Sequence, residues 1–252
     1  MTASFLSLDF GTIYPCIIYQ FCYSVNIMLS IIATPIGNLE DITLRALRVL
    51  KEADYVLCED TRVTGKLLKK YSINTVLKRY DAHASDRAHE QILADLEDGK
   101  QIALVSDAGT PGVSDPGVKI VELARAAGAR IEAIPGPSAV TAAFSIAGLS
   151  GNQFTFLGFV PQKKGRETFF KSLATYDHPV IFFESTHRIM KTLDSLKNLS
   201  DGYKLKIGRE LTKMHEELVT GSPEEVFNYF QTHKDHQKGE FVIIVSPDSG
   251  GV

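Results

Sequence analysis

A chain of 252 residues exceeds one typical domain, so one large domain or two medium ones are open to it. Hydrophobic residues make up 44% and charged residues 23%, ordinary proportions for a globular protein with a core. The formal net charge of -3 argues against a generic, sequence-blind nucleic-acid binder, but it allows an enzyme with a local basic patch.

Residues 1–27 differ in character from the rest of the chain, being apolar and aromatic from position 5 onward with Gly11 and Pro15 interrupting. A secretory signal would begin with a basic residue, yet the first one in the chain is Arg45. Pro15, Gln20 and Asn26 weaken a membrane span over 13–32. We therefore expect Met28 to be the natural start, with 1–27 a non-native or disordered extension.

From Met28 the pattern alternates strand, loop and helix. A short apolar strand over 29–33 stops at the turn-rich Thr34-Pro35-Ile36-Gly37-Asn38. Asp41 is placed to cap a helix whose apolar face is Ile42, Leu44, Leu47, Val49 and Leu50. A buried strand over 55–58 ends in Glu59-Asp60-Thr61-Arg62, and a helix with Leu67 and Leu68 comes after it. A weaker strand over 76–80, a helix over 88–96 and a strand over 101–105 come next. Asp115 reads as a cap and Pro116 as the first residue of a helix ending near Gly128. A fifth strand over 130–134 leads through Pro135-Gly136-Pro137-Ser138 into a small-residue helix ending at Ala147. This alternation predicts an α/β domain over 28–147 with a mainly parallel sheet.

The best boundary lies at 148–152, and a second, more mixed α/β domain is expected over 148–252. Its strands are predicted over 154–158, 180–183, 204–208, 217–220 and 241–245. A helix with Phe169, Phe170 and Leu173 and another over 186–196 lie between them. Ser222-Pro223-Glu224-Glu225 has the form of a capping box with proline at the first helical position.

Ligands of open α/β sheets bind beyond the carboxyl ends of the strands, and four such ends in the first domain carry unusual loops. The most informative runs from Ser106 to Pro116: Asp107 stands at the strand end, and two glycines and two prolines fix an irregular backbone. Small residues there let a flat ligand approach main-chain N–H and C=O groups. No G-x-G-x-x-G follows the first strand, and neither G-x-x-x-x-G-K-[ST] nor G-x-S-x-G occurs. Dinucleotide redox, P-loop and serine-hydrolase chemistry therefore lose their usual support. Cys16, Cys22 and Cys58 form no C-x-x-C pair, and His83, His89 and His215 lack ligand spacing, so no metal is expected. Unpaired cysteines suit a reducing cytosol.

Six strings carry a resemblance. They are 32–42 (Ile-Ala-Thr-Pro-Ile-Gly-Asn-Leu-Glu-Asp-Ile), Glu59-Asp60-Thr61-Arg62, the 106–116 loop, and Ile134-Pro135-Gly136-Pro137-Ser138-Ala139. Phe183-Glu184-Ser185-Thr186-His187-Arg188 and Gly208-Arg209-Glu210-Leu211-Thr212-Lys213 complete the set. In order, and from about Met28 to Pro247, they resemble the ribosomal RNA small subunit methyltransferase I family of the tetrapyrrole methylase superfamily. The resemblance implies two α/β domains of the tetrapyrrole methylase type with a cleft between them. It further implies a homodimer, S-adenosylmethionine as cofactor, and 2'-O-methylation of a cytidine in the decoding region of 16S ribosomal RNA. The cofactor is then expected against Pro35, Ile36, Asp107, Ala108, Gly109, Thr110, Ser138 and Ala139, with Phe183, Leu211, Gly239 and Glu240 from the second domain.

A ribose hydroxyl is a weak acid and benefits from a nearby base; Asp60 and Glu184, at strand ends facing the expected cleft, are the catalytic candidates. Each carboxylate has an equal alternative in pairing with Arg62 or Arg188. Lys163, Lys164 and Arg166, flanking Gly165, form a basic loop suited to phosphates, and Arg62 and Arg188 are further RNA-binding candidates. The partner expected is 16S RNA, within the small ribosomal subunit, in the cytoplasm and away from membranes. Alternatives are a tetrapyrrole C-methyltransferase of the precorrin type and a non-catalytic RNA-binding assembly factor.

Overall fold

The computed structural model describes residues 28–149, 151–198 and 202–248, so the expectation for 1–27 lies outside the described residues. Two five-stranded sheets organise the chain. The first contains β1 (Met28–Ile32), β2 (Tyr55–Cys58), β3 (Val76–Arg79), β4 (Gln101–Val105) and β5 (Arg130–Ile134), in the order β3-β2-β4-β1-β5. Every pairing in it is parallel. That topology needs helical crossovers, and α1 (Leu44–Glu52), α2 (Thr61–Lys70), α3 (Asp86–Glu97) and α4 (Val118–Ala126) supply them.

The two-residue period of a strand explains the layering. Ala103 and Val105 of β4 point toward α1 and α2, packing with Val49, Leu50, Leu67 and Leu68. Their neighbours Ile102 and Leu104 point the other way, against Ile92 and Leu96 of α3 and Ile120 and Ala124 of α4. Covering both faces accounts for the almost continuous apolar runs of β2 and β4.

α5 (Ala139–Ile146) follows β5 and leaves the first sheet: its Val140 and Ala143 pack on Ile181, Val242 and Ile244. Those residues belong to the second sheet, built from β6 (Thr155–Phe159), β7 (Val180–Glu184), β8 (Tyr203–Arg209), β9 (Glu217–Gly221) and β10 (Phe241–Pro247). The order is β6-β7-β10-β8-β9, with β6 and β7 parallel and the other pairings antiparallel. Its other face carries α6 (Arg166–Leu173), α7 (Ile189–Leu196) and α8 (Pro223–Thr232) over a core centred on Phe182, Phe230 and Ile243. The expected capping box at Ser222 and Glu225 is present in full.

Two expected caps are corrected. Thr43, not Asp41, caps α1, its hydroxyl accepting from the Ala46 N–H at 3.1 Å; Asp41 ends a separate 3-10 turn capped by Asn38. α4 begins at Val118 rather than Pro116, because the chain passes so close over Leu104 that a Cβ at Gly117 would stand 2.9 Å from its Cδ2. Gly117 takes φ 131° there, and Asp115 is left outside the helix. Among the described residues no helix is long and apolar enough to cross a membrane.

Candidate active site

The register of the first sheet brings its strand ends level: Ile32 lies beside both Val105 and Ile134, and Leu57 beside Leu104. The loops after β1, β2, β4 and β5 consequently emerge along one edge. Two are fastened together, since Thr34 and Gly109 exchange backbone hydrogen bonds of 2.9 and 3.0 Å and the Thr34 hydroxyl donates to the Ser106 carbonyl at 3.0 Å. Gly109 sits at φ 80°, a conformation that costs other residues strain and lets the loop fold back on β1.

Between this edge and the second sheet lies a cavity of about 470 Å³, within the range of small-molecule sites. The first half contributes Ile36, Asp107, Ala108, Gly109, Thr110, Ser138 and Ala139 to its wall. The second half contributes Phe183, Leu211, Gly239 and Glu240. Eleven of the twelve residues expected around a cofactor thus share one cavity; Pro35 lies next door, in a smaller cleft with Ile36, Asp107 and Ala108. Phe183 makes edge-on contacts with Phe156 and Phe159 at 4.9 and 5.2 Å between ring centres, so part of the wall is aromatic. Gly239 is held by its N–H to the Thr186 hydroxyl at 3.0 Å, and a Cβ on it would stand 2.6 Å from the Glu210 side chain.

The cavity also holds acids that sequence reasoning assigned elsewhere or passed over. Glu59, at the end of β2, is half-buried in its wall and makes no side-chain hydrogen bond or ion pair among the described residues. Burial, then the negative fields of Asp115, Asp107 and Asp81, push its carboxyl up to about 7. Asp115, expected to cap a helix, lines the same cavity; burial pushes its carboxyl up, against a hydrogen bond from Ser106. The signal for Glu59 was its place in the Glu59-Asp60-Thr61-Arg62 string, which does not reveal which of two adjacent acids faces inward.

Asp60 faces outward and is corrected as a catalytic candidate. It caps α2, accepting from the Arg62 N–H at 2.8 Å, and its carboxylate pairs with the Arg62 guanidinium at 2.6 Å. The Arg62 side chain and backbone hold the Asp60 carboxyl well below the usual carboxylate range, and the residue is absent from the cavity wall. Glu184 does border the cavity, but its carboxylate is spoken for. It accepts from the Ser185 N–H at 2.7 Å and from the Thr192 hydroxyl, and pairs with Arg188 at 2.8 Å and Arg166 at 3.5 Å.

The same network corrects Arg166 as an RNA contact. The left-handed turn at Gly165 (φ 86°) starts α6 and turns Arg166 inward, where it is 8% exposed and bonds Thr192 at 2.7 Å. Arg188 is likewise tied inward, to Glu184, the Ser185 hydroxyl and the Val160 carbonyl. Lys163, Lys164 and Arg62 remain exposed.

Comparison with known proteins adds three findings. A profile of the family described as Tetrapyrrole (Corrin/Porphyrin) Methylases matches residues 28–226. The chain is 41% identical over 218 residues to "Ribosomal RNA small subunit methyltransferase I" of Thermotoga maritima, covering 86% of this chain and 97% of that protein. The same-named protein of Mesorhizobium japonicum is 45% identical over 221 residues, covering 87% and 75%. In fold, the chain is similar to a cobalt precorrin-4 methyltransferase (TM-score 0.67, 20% identity, 88% and 95% covered) and to a diphthine synthase (0.69, 16%, 87% and 90%).

Proposed function

The chain belongs to the tetrapyrrole methylase family, and from that premise we propose that it transfers a methyl group from S-adenosylmethionine to small-subunit ribosomal RNA. The acceptor in this reading is the 2'-hydroxyl of a cytidine in the decoding region of 16S RNA, presented within the small ribosomal subunit. The observation that carries it is the single cavity between the sheets, into which six separate sequence strings converge. Support for RNA over a tetrapyrrole comes from the relatives: those named for ribosomal RNA are 41% and 45% identical, the precorrin enzyme 20%. We further propose two domains, 28–147 and 148–252, a homodimer, and a cytoplasmic site of action.

The cavity fits the cofactor on its own chemistry. Loop 107–110 offers backbone with little side chain in the way, Phe183 and Leu211 offer apolar surface, and Asp107 and Asp115 offer negative charge to a cationic ligand. When bound, S-adenosylmethionine supplies a methyl group on a good leaving group, so alignment accounts for much of the catalysis. Asp107 and the 107–110 backbone hold and orient the ligand. Glu59 takes the proton from the ribose hydroxyl: a carboxyl near 7 is divided between its two forms at neutral pH, where a general base is most effective. Glu184 fixes Arg188 and Arg166 and so sets the second-sheet wall, and Lys163 and Lys164 meet RNA phosphates.

The test is transfer of labelled methyl from S-adenosylmethionine to small ribosomal subunits and to naked 16S RNA, using protein begun at Met28. Label fixed as an alkali-resistant 2'-O-methyl is the expected result. No label on either substrate, from protein that binds the cofactor, contradicts the reading.

A further inference from the structure

α2 differs in charge from the other helices of the described chain. Its ten residues, Thr61–Lys70, contain Arg62, Lys66, Lys69 and Lys70 and no acid. At 100° per residue these four fall within one arc of the helix, and all four are exposed, while Thr64, Leu67 and Leu68 form the buried face. Several cations of the neighbouring elements are neutralised: Arg45 pairs with Glu132, Arg48 with Glu52, and Lys78 and Lys100 with Asp95. Lys66, Lys69 and Lys70 make no ion pair among the described residues, although like charges three and four positions apart repel along a helix. A chain with a net charge of -3 thus carries three unpaired lysines and Arg62 together on one helix face.

The position of that face matters as much as its charge. Asp60 caps α2 and directly follows Glu59 of the cavity wall, so the first cation of the helix, Arg62, lies three residues along the chain from that wall. Its last, Lys70, shares a surface cleft with Asn38 and Lys213. From Arg62 to Lys70 the helix advances about 12 Å, long enough to run along more than one phosphate of a strand. We propose that this face of α2 is a docking surface for the phosphodiester backbone of RNA, guiding the strand toward the cavity. The inference rests on the reading of the chain as an RNA methyltransferase and adds where the substrate strand lies. Lysines suit the task because they neutralise phosphates without selecting bases, leaving base choice to the cavity.

The test is a K66Q/K69Q/K70Q variant, in which glutamine preserves helix propensity. Binding to 16S RNA is followed against salt concentration, and methyl transfer and cofactor affinity are measured beside it. The expected result is a salt slope lower by about 2 and affinity reduced at least tenfold at low salt. KM for RNA rises, while kcat at saturation and cofactor affinity stay those of the parent. A control replacing the exposed Lys119, Lys171 and Lys191 should leave the slope unchanged. If the parent methylates RNA and the α2 variant keeps its slope, this proposal falls and the reaction stands. If the parent binds RNA with the steeper slope but transfers no methyl, the reaction falls and the surface stands. Loss of binding to phosphatidylserine vesicles with an unchanged RNA slope would overturn the proposal in favour of a membrane surface.

Discussion

Glu59 and Glu184 occupy equivalent places, one at the end of β2 in the first sheet and the other at the end of β7 in the second, and both border the cavity. Their surroundings make them opposites. Glu184 is 2% exposed and is met by two guanidinium groups, a hydroxyl and a backbone N–H. Glu59 has no cation partner and is surrounded by other acids. A carboxylate whose acceptor sites are filled can brace a wall but has little capacity to take a substrate proton. One that is half-desolvated and unpaired is held ready to do so. Proximity to a cavity therefore does not assign a role; the set of partners does.

The sharpest way to break this comparison is to remove Glu184. Glu184→Ala leaves Arg166 buried beside no counter-charge, and unfolding free energy should fall by about 3–5 kcal/mol in urea titration. A loss below about 1 kcal/mol with catalysis abolished would reverse the assignment. Asp107→Asn comes next: asparagine still accepts from the Asp60 N–H, a bond of 3.1 Å, so the loop survives. Cofactor affinity by calorimetry should drop about tenfold or more, the worth of a charge-assisted hydrogen bond. Equal affinity would remove Asp107 from the binding set.

The smallest effect concerns stability at Glu59. A carboxyl at about 7 in the folded protein, against an unfolded value near 4.3, binds more protons when folded, so stability declines as pH rises between those values. Glu59→Gln removes that decline. Discounted for solvent exposure, it should stabilise the protein by roughly 1 kcal/mol at pH 8 and not at pH 4. Equal stability of variant and parent at pH 8 would show that Glu59 is not desolvated.

Much of the fold and of the cavity was legible in the sequence. Apolar runs located the strands to within a residue or two, as at β1 and β10, because a strand covered on both faces has few polar positions to blur it. The long loop strings, through the resemblance they carry, pointed to eleven residues of the cavity wall. What escaped was side-chain direction. Glu59 and Asp60 are adjacent, and only the path from β2 into α2 decides which faces the cavity. Arg166 reads as one more charge in a basic loop, and only the reversal at Gly165 sends it into the core. Asp115 has the spacing of a cap, yet close approach to Leu104 delays the helix until after Gly117.

The most direct test of Glu59 as the base is the pH profile of kcat for methyl transfer to small ribosomal subunits by the parent protein and by Glu59→Gln. The parent should gain activity as pH rises through about 7, as a base with that carboxyl requires. The variant should bind S-adenosylmethionine comparably, turn over about 100-fold more slowly, and show no rise there. A variant with the parent's rate and the parent's profile would contradict the assignment.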